Sequence, residues 1–184
     1  MIKSKTMEKF TPVAILLHWM TAVIWLLAWV VGFIAVTWRE ELNSDHFLTT
    51  THKAIASTVI FITIVRILWR IIKHPPSLPD SMSSLMKLVA HAGHYLLYAI
   101  ALIGLPLSGW LWSSVADKPI MVLGLFHLPP LVDPAPEYYV LVKDIHITLA
   151  YIAGVLVAGH ILVALKHVLF DKDGVMQSML PWRK

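Results

Sequence analysis

Two histidines in the last apolar segment of the chain have a spacing that suits a pair of cofactors. His146 and His160 lie fourteen residues apart within residues 143–170, a segment that is otherwise almost entirely apolar. On an α-helix this separation is about 21 Å of rise, and the two rings differ in azimuth by only about 40°. Neutral imidazole is a common metal ligand, and Gly154 and Gly159 leave room for a bulky group close to the backbone. One helix would therefore present two ligands at two depths, which indicates two planar cofactors stacked across a membrane.

Four apolar segments provide the helices that such ligands need. Hydrophobic residues make up 58% of the 184-residue chain and charged residues only 14%, against about 25% charged in a typical soluble protein. Each segment exceeds the roughly 20 residues needed to cross a hydrocarbon core. A spanning backbone must satisfy its own hydrogen bonds, so helices are expected. We therefore predict an all-α membrane protein, a single four-transmembrane-helix domain over residues 1–184, with helices over residues 12–38, 50–72, 85–113 and 143–170.

The cysteine, histidine and tryptophan content narrows the chemistry. The chain has no cysteine, which excludes a disulfide framework, cysteine-ligated iron–sulfur clusters and covalent c-type haem. It has ten histidines, and a histidine within a membrane segment is costly enough to indicate a function. The eight tryptophans are interpreted as an interfacial belt.

The basic residues predict the orientation of the bundle. With a cytoplasmic N-terminus, eleven of the fifteen lysines and arginines fall on the inner side and four on the outer side, which obeys the positive-inside rule with both termini inside. The lipid bilayer is therefore the expected surrounding, and nothing in the charge pattern calls for nucleic acid. The inner residues are Lys3, Lys5, Lys9, Arg66, Arg70, Lys73, Lys87, Lys166, Lys172, Arg183 and Lys184, and the outer ones are Arg39, Lys53, Lys118 and Lys143.

Depth sorts the histidines of the four predicted helices into pairs. His18 and His160 each lie about 10–15 Å from the inner ends of their helices, while His52 and His146 lie within about one turn of the outer ends. Such pairs on facing helices suit two b-type haems, each held by two axial histidines. His94 lies at nearly the same inner level as His18, and spacing alone does not rank the two as partners of His160.

Several polar residues allow two interpretations. Arg66 and Arg70 share a helix face and are either positive-inside anchors or partners of haem propionates. His167, next to Lys166, is either a cation at a helix C-terminus or a group that holds a quinone head group at the inner interface. Three further histidines are interpreted as structural loop residues: His46, His74 and His127.

The third helix and the connection after it have their own signals. Gly104, Pro106 and Gly109 predict a kink in the outer half of this helix. The connection over residues 113–142 is the longest in the chain and is apolar in its middle. It is expected to lie on the membrane surface or to cap the bundle.

Together these residues resemble the bacterial cytochrome b561 family, small four-helix dihaem membrane cytochromes. No single motif is specific, but the order and spacing of the histidines are, and the resemblance covers nearly the whole chain. The motifs that carry it are Leu17-His18-Trp19, Thr51-His52-Lys53, Val65-Arg66, Trp69-Arg70, Ala90-His91-Ala92-Gly93-His94, Ile145-His146, Gly159-His160, Ala164-Leu165-Lys166-His167, Asp171-Lys172-Asp173 and Met179-Leu180-Pro181.

The resemblance implies two non-covalent haem b groups. His18 and His160 would be the axial ligands of the inner haem, and His52 and His146 those of the outer haem, which leaves His94 as a neighbour. Some family members are superoxide oxidases, which take electrons from superoxide at the outer face and reduce ubiquinone in the membrane. The resemblance therefore implies electron transport in a bacterial inner membrane, with ubiquinone as co-substrate and superoxide or another periplasmic redox partner as donor.

The resemblance also bears on the two ends of the electron path. His167, with Lys166, matches the quinone end of the family, whereas a lysine that superoxide oxidases carry in the inner loop has no counterpart within residues 77–84. With both axial positions filled by imidazole, no residue is assigned as catalytic. The alternative function is a haem-bearing membrane anchor or electron-transfer subunit of a partner oxidoreductase. A histidine-lined transporter is disfavoured, because the four helix middles contain no acidic residue.

Overall fold

The computed structural model describes residues 8–181, so the expectations for Lys3, Lys5, Arg183 and Lys184 lie outside the described residues. The six α-helices are α1 (Pro12–Thr37), α2 (Arg39–Leu42), α3 (Phe47–Ile72), α4 (Ser84–Leu96), α5 (Leu105–Val115) and α6 (Tyr139–Lys166). A π-helical stretch, Leu97–Gly104, joins α4 to α5, and another, His167–Asp171, extends α6. Two short strands, β1 (Ile120–Val122) and β2 (Phe126–Leu128), form an antiparallel hairpin. Single 3-10 turns cover Pro136–Tyr138 and Met176–Met179.

Four of these helical stretches are long and apolar enough to cross a membrane, as the composition predicted. They are Pro12–Thr37, Phe47–Ile72, Ser84–Val115 and Pro136–Asp171. Most of their surface is apolar and exposed, which is the arrangement that a lipid solvent requires. The described residues therefore form a mostly helical, multi-pass membrane protein, with the two strands as an addition that the sequence did not predict.

Local chemistry explains where the helices begin. The Thr11 side chain accepts a hydrogen bond from the amide of Ala14, 3.3 Å away, and Pro12 occupies the first turn of α1. These are typical N-terminal signals, since a cap satisfies a free amide and proline has none to satisfy. Ser83 caps α4 in the same way through the amide of Met86.

The buried Asn43 fixes the tight connection between α1 and α3. Its amide nitrogen donates to the carbonyl oxygen of Ala35 and to the hydroxyl of Thr49, at 3.1 and 2.8 Å. Its side-chain oxygen accepts from the amides of Leu48 and Thr49. One side chain thus satisfies backbone groups at the end of α1 and the start of α3, and it sets the two helices side by side.

The centre of the bundle is an apolar cluster to which all four spanning helices contribute. Trp25 lies in it, only 6% exposed, and its indole N–H donates to the carbonyl oxygen of Ala101 at 2.9 Å. Trp29 donates in the same way to Ala150 across the α1–α6 contact. The interpretation of the tryptophans as an interfacial belt is therefore wrong for these two, which pack and bond helices together at mid-depth. The buried members of the cluster are Trp25, Val59, Ala101, Leu102, Leu105 and Ala153.

The expected kink in the third spanning helix takes the form of a wider turn. The π-helical stretch Leu97–Gly104 ends just before Pro106, which lies in the first turn of α5. Proline has no amide to donate and its ring would clash with the carbonyl group four residues earlier. A wider turn separates these groups and lets the chain continue as one long helix.

Candidate functional site

The structure brings four of the predicted ligand histidines together as two pairs. His52 on α3 and His146 on α6 have ring centres 6.3 Å apart, and we call them the outer pair. His18 on α1 and His160 on α6 have ring centres 6.2 Å apart, and we call them the inner pair. Helix α6 therefore contributes one ring to each pair, at two levels of the bundle.

The separation within each pair fits an iron atom between two imidazoles. An imidazole nitrogen binds a first-row metal at about 2 Å, which places the centres of two rings on opposite sides of the metal about 6.3 Å apart. Both observed separations agree with this value. The rings within each pair are inclined at 62° and 68°, and bis-histidine coordination places no requirement on that angle. By spacing, the residues present fit a b-type haem at either level.

Hydrogen bonds at Nδ1 fix the tautomer of both rings of the outer pair. His52 Nδ1 lies 2.7 Å from the carbonyl oxygen of Ala28, to which it donates. His146 Nδ1 lies 2.9 Å from the Ser108 hydroxyl, which in turn donates to the carbonyl oxygen of Leu105 at 2.8 Å. A proton on Nδ1 leaves the lone pair on Nε2, where a metal binds.

Two glycines make room for the outer pair. A Cβ atom at Gly32 of α1 would lie 2.7 Å from His52 Nδ1, and one at Gly109 of α5 would lie 2.9 Å from His146 Cε1. Real Cβ atoms do not approach other atoms this closely, so each ring lies directly against glycine backbone. Trp112 then borders His146, with the ring centres 5.7 Å apart.

The inner pair has a different hydrogen-bond environment. His18 Nδ1 lies 2.9 Å from Nη2 of Arg66. A guanidinium group only donates, so His18 Nδ1 is the acceptor and the neutral ring carries its proton on Nε2. Iron binding at His18 Nε2 therefore requires Arg66 to release Nδ1.

A third histidine belongs to the inner level. The ring centre of His94 lies 5.5 Å from that of His160, and its Nδ1 donates to the carbonyl oxygen of Ala90 at 2.7 Å. His94 thus has its lone pair on Nε2, but the 5.5 Å spacing is shorter than the roughly 6.3 Å that an intervening iron requires. As the second ligand of the inner iron, His18 has the right distance from His160, and His94 has the right tautomer. Both candidates that the sequence left open therefore lie next to His160.

The two arginines of α3 share one aromatic partner. The Cζ atoms of Arg66 and Arg70 lie 5.2 and 5.7 Å from the ring centre of Tyr98, on the third spanning helix. Cation–π contacts of this kind hold a guanidinium over a ring face. Beside them is a cavity of about 200 Å³, lined by Ile67, Arg70, His91, His94, Tyr95, Tyr98 and Ile103. Sequence reasoning missed Tyr98, although it follows His94 by one helical turn.

The residues predicted for a quinone end lie where α6 ends. His167 is buried, and its Nδ1 donates to Asp173 Oδ2 at 2.7 Å and lies 3.1 Å from Asp171 Oδ2. Lys166 forms an ion pair with Asp171 at 2.6 Å. The two aspartates belong to one of the motifs that carry the family resemblance, but the sequence did not predict them as partners of His167. Together these side chains form a polar, charged cluster at the end of the bundle nearest the termini.

A multi-pass helical bundle with paired histidines at two levels defines a class, the membrane-embedded b-type cytochromes. Residues 9–182 match the family described as prokaryotic cytochrome b561, and the chain belongs to that family. Members of the family bind haem b and transfer electrons within membranes.

Individual relatives agree with this assignment. The chain is 32% identical to cytochrome b561 homolog 2 of Escherichia coli (strain K12) over 177 residues, which cover 96% of this chain and 94% of that protein. It is 32% identical to cytochrome b561 homolog 1 of the same strain over 191 residues, which cover 97% and 100%. It is 22% identical over 181 residues to a Yersinia pestis protein named "Probable superoxide oxidase CybB", with 96% and 98% covered.

Proposed function

We propose that this chain is a dihaem cytochrome b that carries electrons across a bacterial inner membrane, from a periplasmic donor such as superoxide to ubiquinone. The proposal rests on the outer and inner histidine pairs. Each has the ring separation of an iron site with two imidazole ligands, and α6 contributes one histidine to each. The charge distribution supports cytoplasmic locations for both termini.

The histidines fix the type of chemistry. In this proposal His52 and His146 hold the outer haem, and His18 and His160 hold the inner one. When bound, haem supplies reversible one-electron chemistry, and two imidazole ligands leave no open position on the iron. The ligands on α6 are fourteen residues apart, which is about 21 Å of helix, so the edges of the two haems would approach within electron-transfer range.

Charged residues suit the two ends of this path. Lys53 directly follows His52, so its positive charge would lie beside the outer haem and would attract an anionic donor such as superoxide locally. At the inner level, Arg66 and Arg70 lie on one helix face and would bind haem propionates. The named superoxide oxidase among the relatives supports this choice of donor.

The polar cluster at the end of α6 suits the acceptor. Two superoxide anions would give two electrons and leave as two O₂ molecules, and ubiquinone would take these electrons with two protons to form ubiquinol. His167 and Lys166 are the residues we propose beside the quinone. Asp173 holds His167 through Nδ1, so the neutral ring has its lone pair on Nε2 and would accept a hydrogen bond from a ubiquinol hydroxyl group.

Haem content tests the dihaem proposal directly. Purified protein should contain two haems per chain and show the reduced absorption bands of low-spin b-type haem. A pyridine haemochrome assay against quantitative amino-acid analysis gives the ratio. One haem or none per chain would contradict the proposal.

Turnover tests the donor and the acceptor. The isolated protein should reduce ubiquinone in lipid vesicles when superoxide is supplied from outside, and superoxide dismutase should abolish the reaction. If the two-haem protein is inactive alone but is reduced in a complex with another oxidoreductase, the function is that of an electron-transfer subunit. In whole cells, a C-terminal reporter fusion that is active only in the cytoplasm checks the orientation.

A further inference from the structure

The connection between α5 and α6 folds into a hairpin that lies along the side of α3. We call residues 118–128 the 118–128 hairpin. Its strands pair antiparallel, with Ile120 opposite Leu128 and Val122 opposite Phe126. The turn at the tip contains Gly124 with φ of 75° and is closed by a hydrogen bond from the amide of Leu125 to the carbonyl oxygen of Val122, at 2.8 Å.

Contacts with α3 give the direction in which the hairpin runs. At its base, Lys53 Nζ donates to the carbonyl oxygen of Lys118 at 3.0 Å. Towards its tip, Phe126 meets Phe61 edge to face, with ring centres 6.0 Å apart. Lys53 and Phe61 are eight residues apart, which is about 12 Å along the helix. The hairpin therefore runs down the side of the bundle. It does not cap the bundle, which was one of the two arrangements expected from the sequence.

The depth of the tip follows from the position of Phe61. Val59, two residues earlier, belongs to the central cluster of the bundle. Helix α3 has 26 residues, about 39 Å, whereas the hydrocarbon core is about 30 Å thick. The edge of the core therefore falls within about one turn and a half of Phe47, and the level of Phe126 lies well inside it.

The side chains of the hairpin divide into two faces. Ile120, Val122 and Leu128 are buried and pack against Ile60 of α3 and Trp110 of α5. The tip residues Leu123, Leu125 and Phe126 point outward and are 57, 77 and 47% exposed. No ionisable residue occurs within residues 119–126. Lys118 lies at the base, and the exposed His127 follows Phe126 directly, opposite Met121.

We infer that the 118–128 hairpin is a re-entrant membrane element whose tip is solvated by lipid acyl chains of the leaflet opposite the termini. Large apolar side chains gain free energy when they leave water for lipid, and the lipid-facing surface of α3 continues directly onto the hairpin. The hairpin also covers the side of the bundle between α3 and α5, where it packs against Ile60 and Trp110.

Spin labelling of the haem-loaded protein in phosphatidylcholine vesicles tests this inference. The natural chain has no cysteine, so Leu125→Cys gives one label at the tip. Tyr151→Cys, exposed in the middle of α6, serves as the lipid reference, and Asp133→Cys, in the connection beyond the hairpin, serves as the aqueous reference. Collision rates with oxygen and with a water-soluble nickel chelate are measured for each label by electron paramagnetic resonance.

The label at residue 125 should match the one at residue 151. We expect high oxygen access and nickel access at least tenfold below that of the label at residue 133. Nickel access equal to that at residue 133 would overturn the inference and place the tip in water. Protection from both reagents would also overturn it, because a second protein chain would then cover the tip. An unchanged haem absorption spectrum in each variant establishes that the bundle is intact.

Discussion

The outer and inner histidine pairs have almost the same ring separation, 6.3 and 6.2 Å, but different hydrogen bonds. Both outer rings donate from Nδ1 to oxygen acceptors, which leaves Nε2 free for a metal. At the inner pair, His18 instead accepts from Arg66. The two pairs therefore have the same spacing but are not equally prepared to bind iron, because the hydrogen-bond partner of Nδ1 decides which ring nitrogen carries the lone pair.

The difference indicates how each site would be assembled. The outer pair is held by Ala28, Ser108 and two glycines, so a haem would enter a site that is already arranged. At the inner pair a haem would have to draw Arg66 away from His18, and a propionate is a suitable group to do so. We therefore expect the outer haem to bind more tightly and to load first when haem is titrated into apoprotein.

Removal of the shared inner ligand should have the largest effect. Helix α6 supplies His160 to either inner alternative, so His160→Ala should reduce the haem content from two per chain to one and leave the outer haem spectrum unchanged. His94→Ala is the discriminating variant, and we expect it to keep both haems. If His94→Ala loses the inner haem while His18→Ala keeps it, His94 is the ligand and the assignment of His18 is wrong.

Filling the space at a glycine next to the outer pair should have the next largest effect on haem binding. In Gly32→Ala the new Cβ would lie 2.7 Å from His52 Nδ1, and the ring cannot retreat without losing its bond to Ala28. We expect outer haem affinity to fall on the order of 100-fold, since displaced metal ligands and overpacked cores are both costly. Gly93→Ala is the matched control, because a Cβ there meets nothing within 4 Å. Equal haem affinity in the two variants would show that the outer ring is free to move.

Much of this architecture was predictable from the sequence because it depends on residue type along one segment. Apolar length gave the four spanning helices, and helical rise gave the levels of His52, His146 and His160. Hydropathy also marked the middle of the outer connection as apolar, but three-residue strands are too short to show an alternating pattern.

The supporting residues were not predictable in this way. Ser108 supports a histidine 38 residues away and Ala28 one 24 residues away, and a serine or alanine in an apolar segment has no local signature. Gly32 likewise matters only because His52 lies opposite it. Trp25 was assigned to the membrane interface on residue type alone. Its hydrogen-bond partner, the carbonyl group of Ala101, lies 76 residues away and is revealed only by the packing.

Loss of the Ser108 hydroxyl should weaken the outer site less than a clash does. Ser108→Ala removes the acceptor for His146 Nδ1, so the ring loses the bond that fixes its tautomer. Changes of this kind cost about 10–100-fold in metal affinity, and we expect the lower part of that range because the ring remains packed against Gly109. Haem titration of apoprotein measures it. Ser57→Ala is the control, since that buried hydroxyl bonds only within its own helix, to Ala54. An inner haem that weakens as much as the outer one would argue against a local role.

The smallest predicted effect concerns Tyr98, and it tests the electrostatics of the inner level. If Arg66 and Arg70 lie near the inner haem, their positive charges favour its reduced form, and the Tyr98 ring holds both guanidinium groups in place. Tyr98→Leu should lower the midpoint potential of the inner haem by on the order of 20 mV, because looser charges interact less strongly. Tyr98→Phe keeps the ring face and should leave the potential unchanged.

Spectroelectrochemical titration separates this effect from general damage. The outer haem should keep its potential in both Tyr98 variants, because its histidines lie at the other level of the bundle. A shift in Tyr98→Phe as large as that in Tyr98→Leu would assign the effect to the hydroxyl group instead of the ring. If the midpoint potentials of both haems shift equally, Tyr98 affects the whole bundle. The outer and inner pairs would then differ only in their hydrogen bonds and not in their electrostatic surroundings.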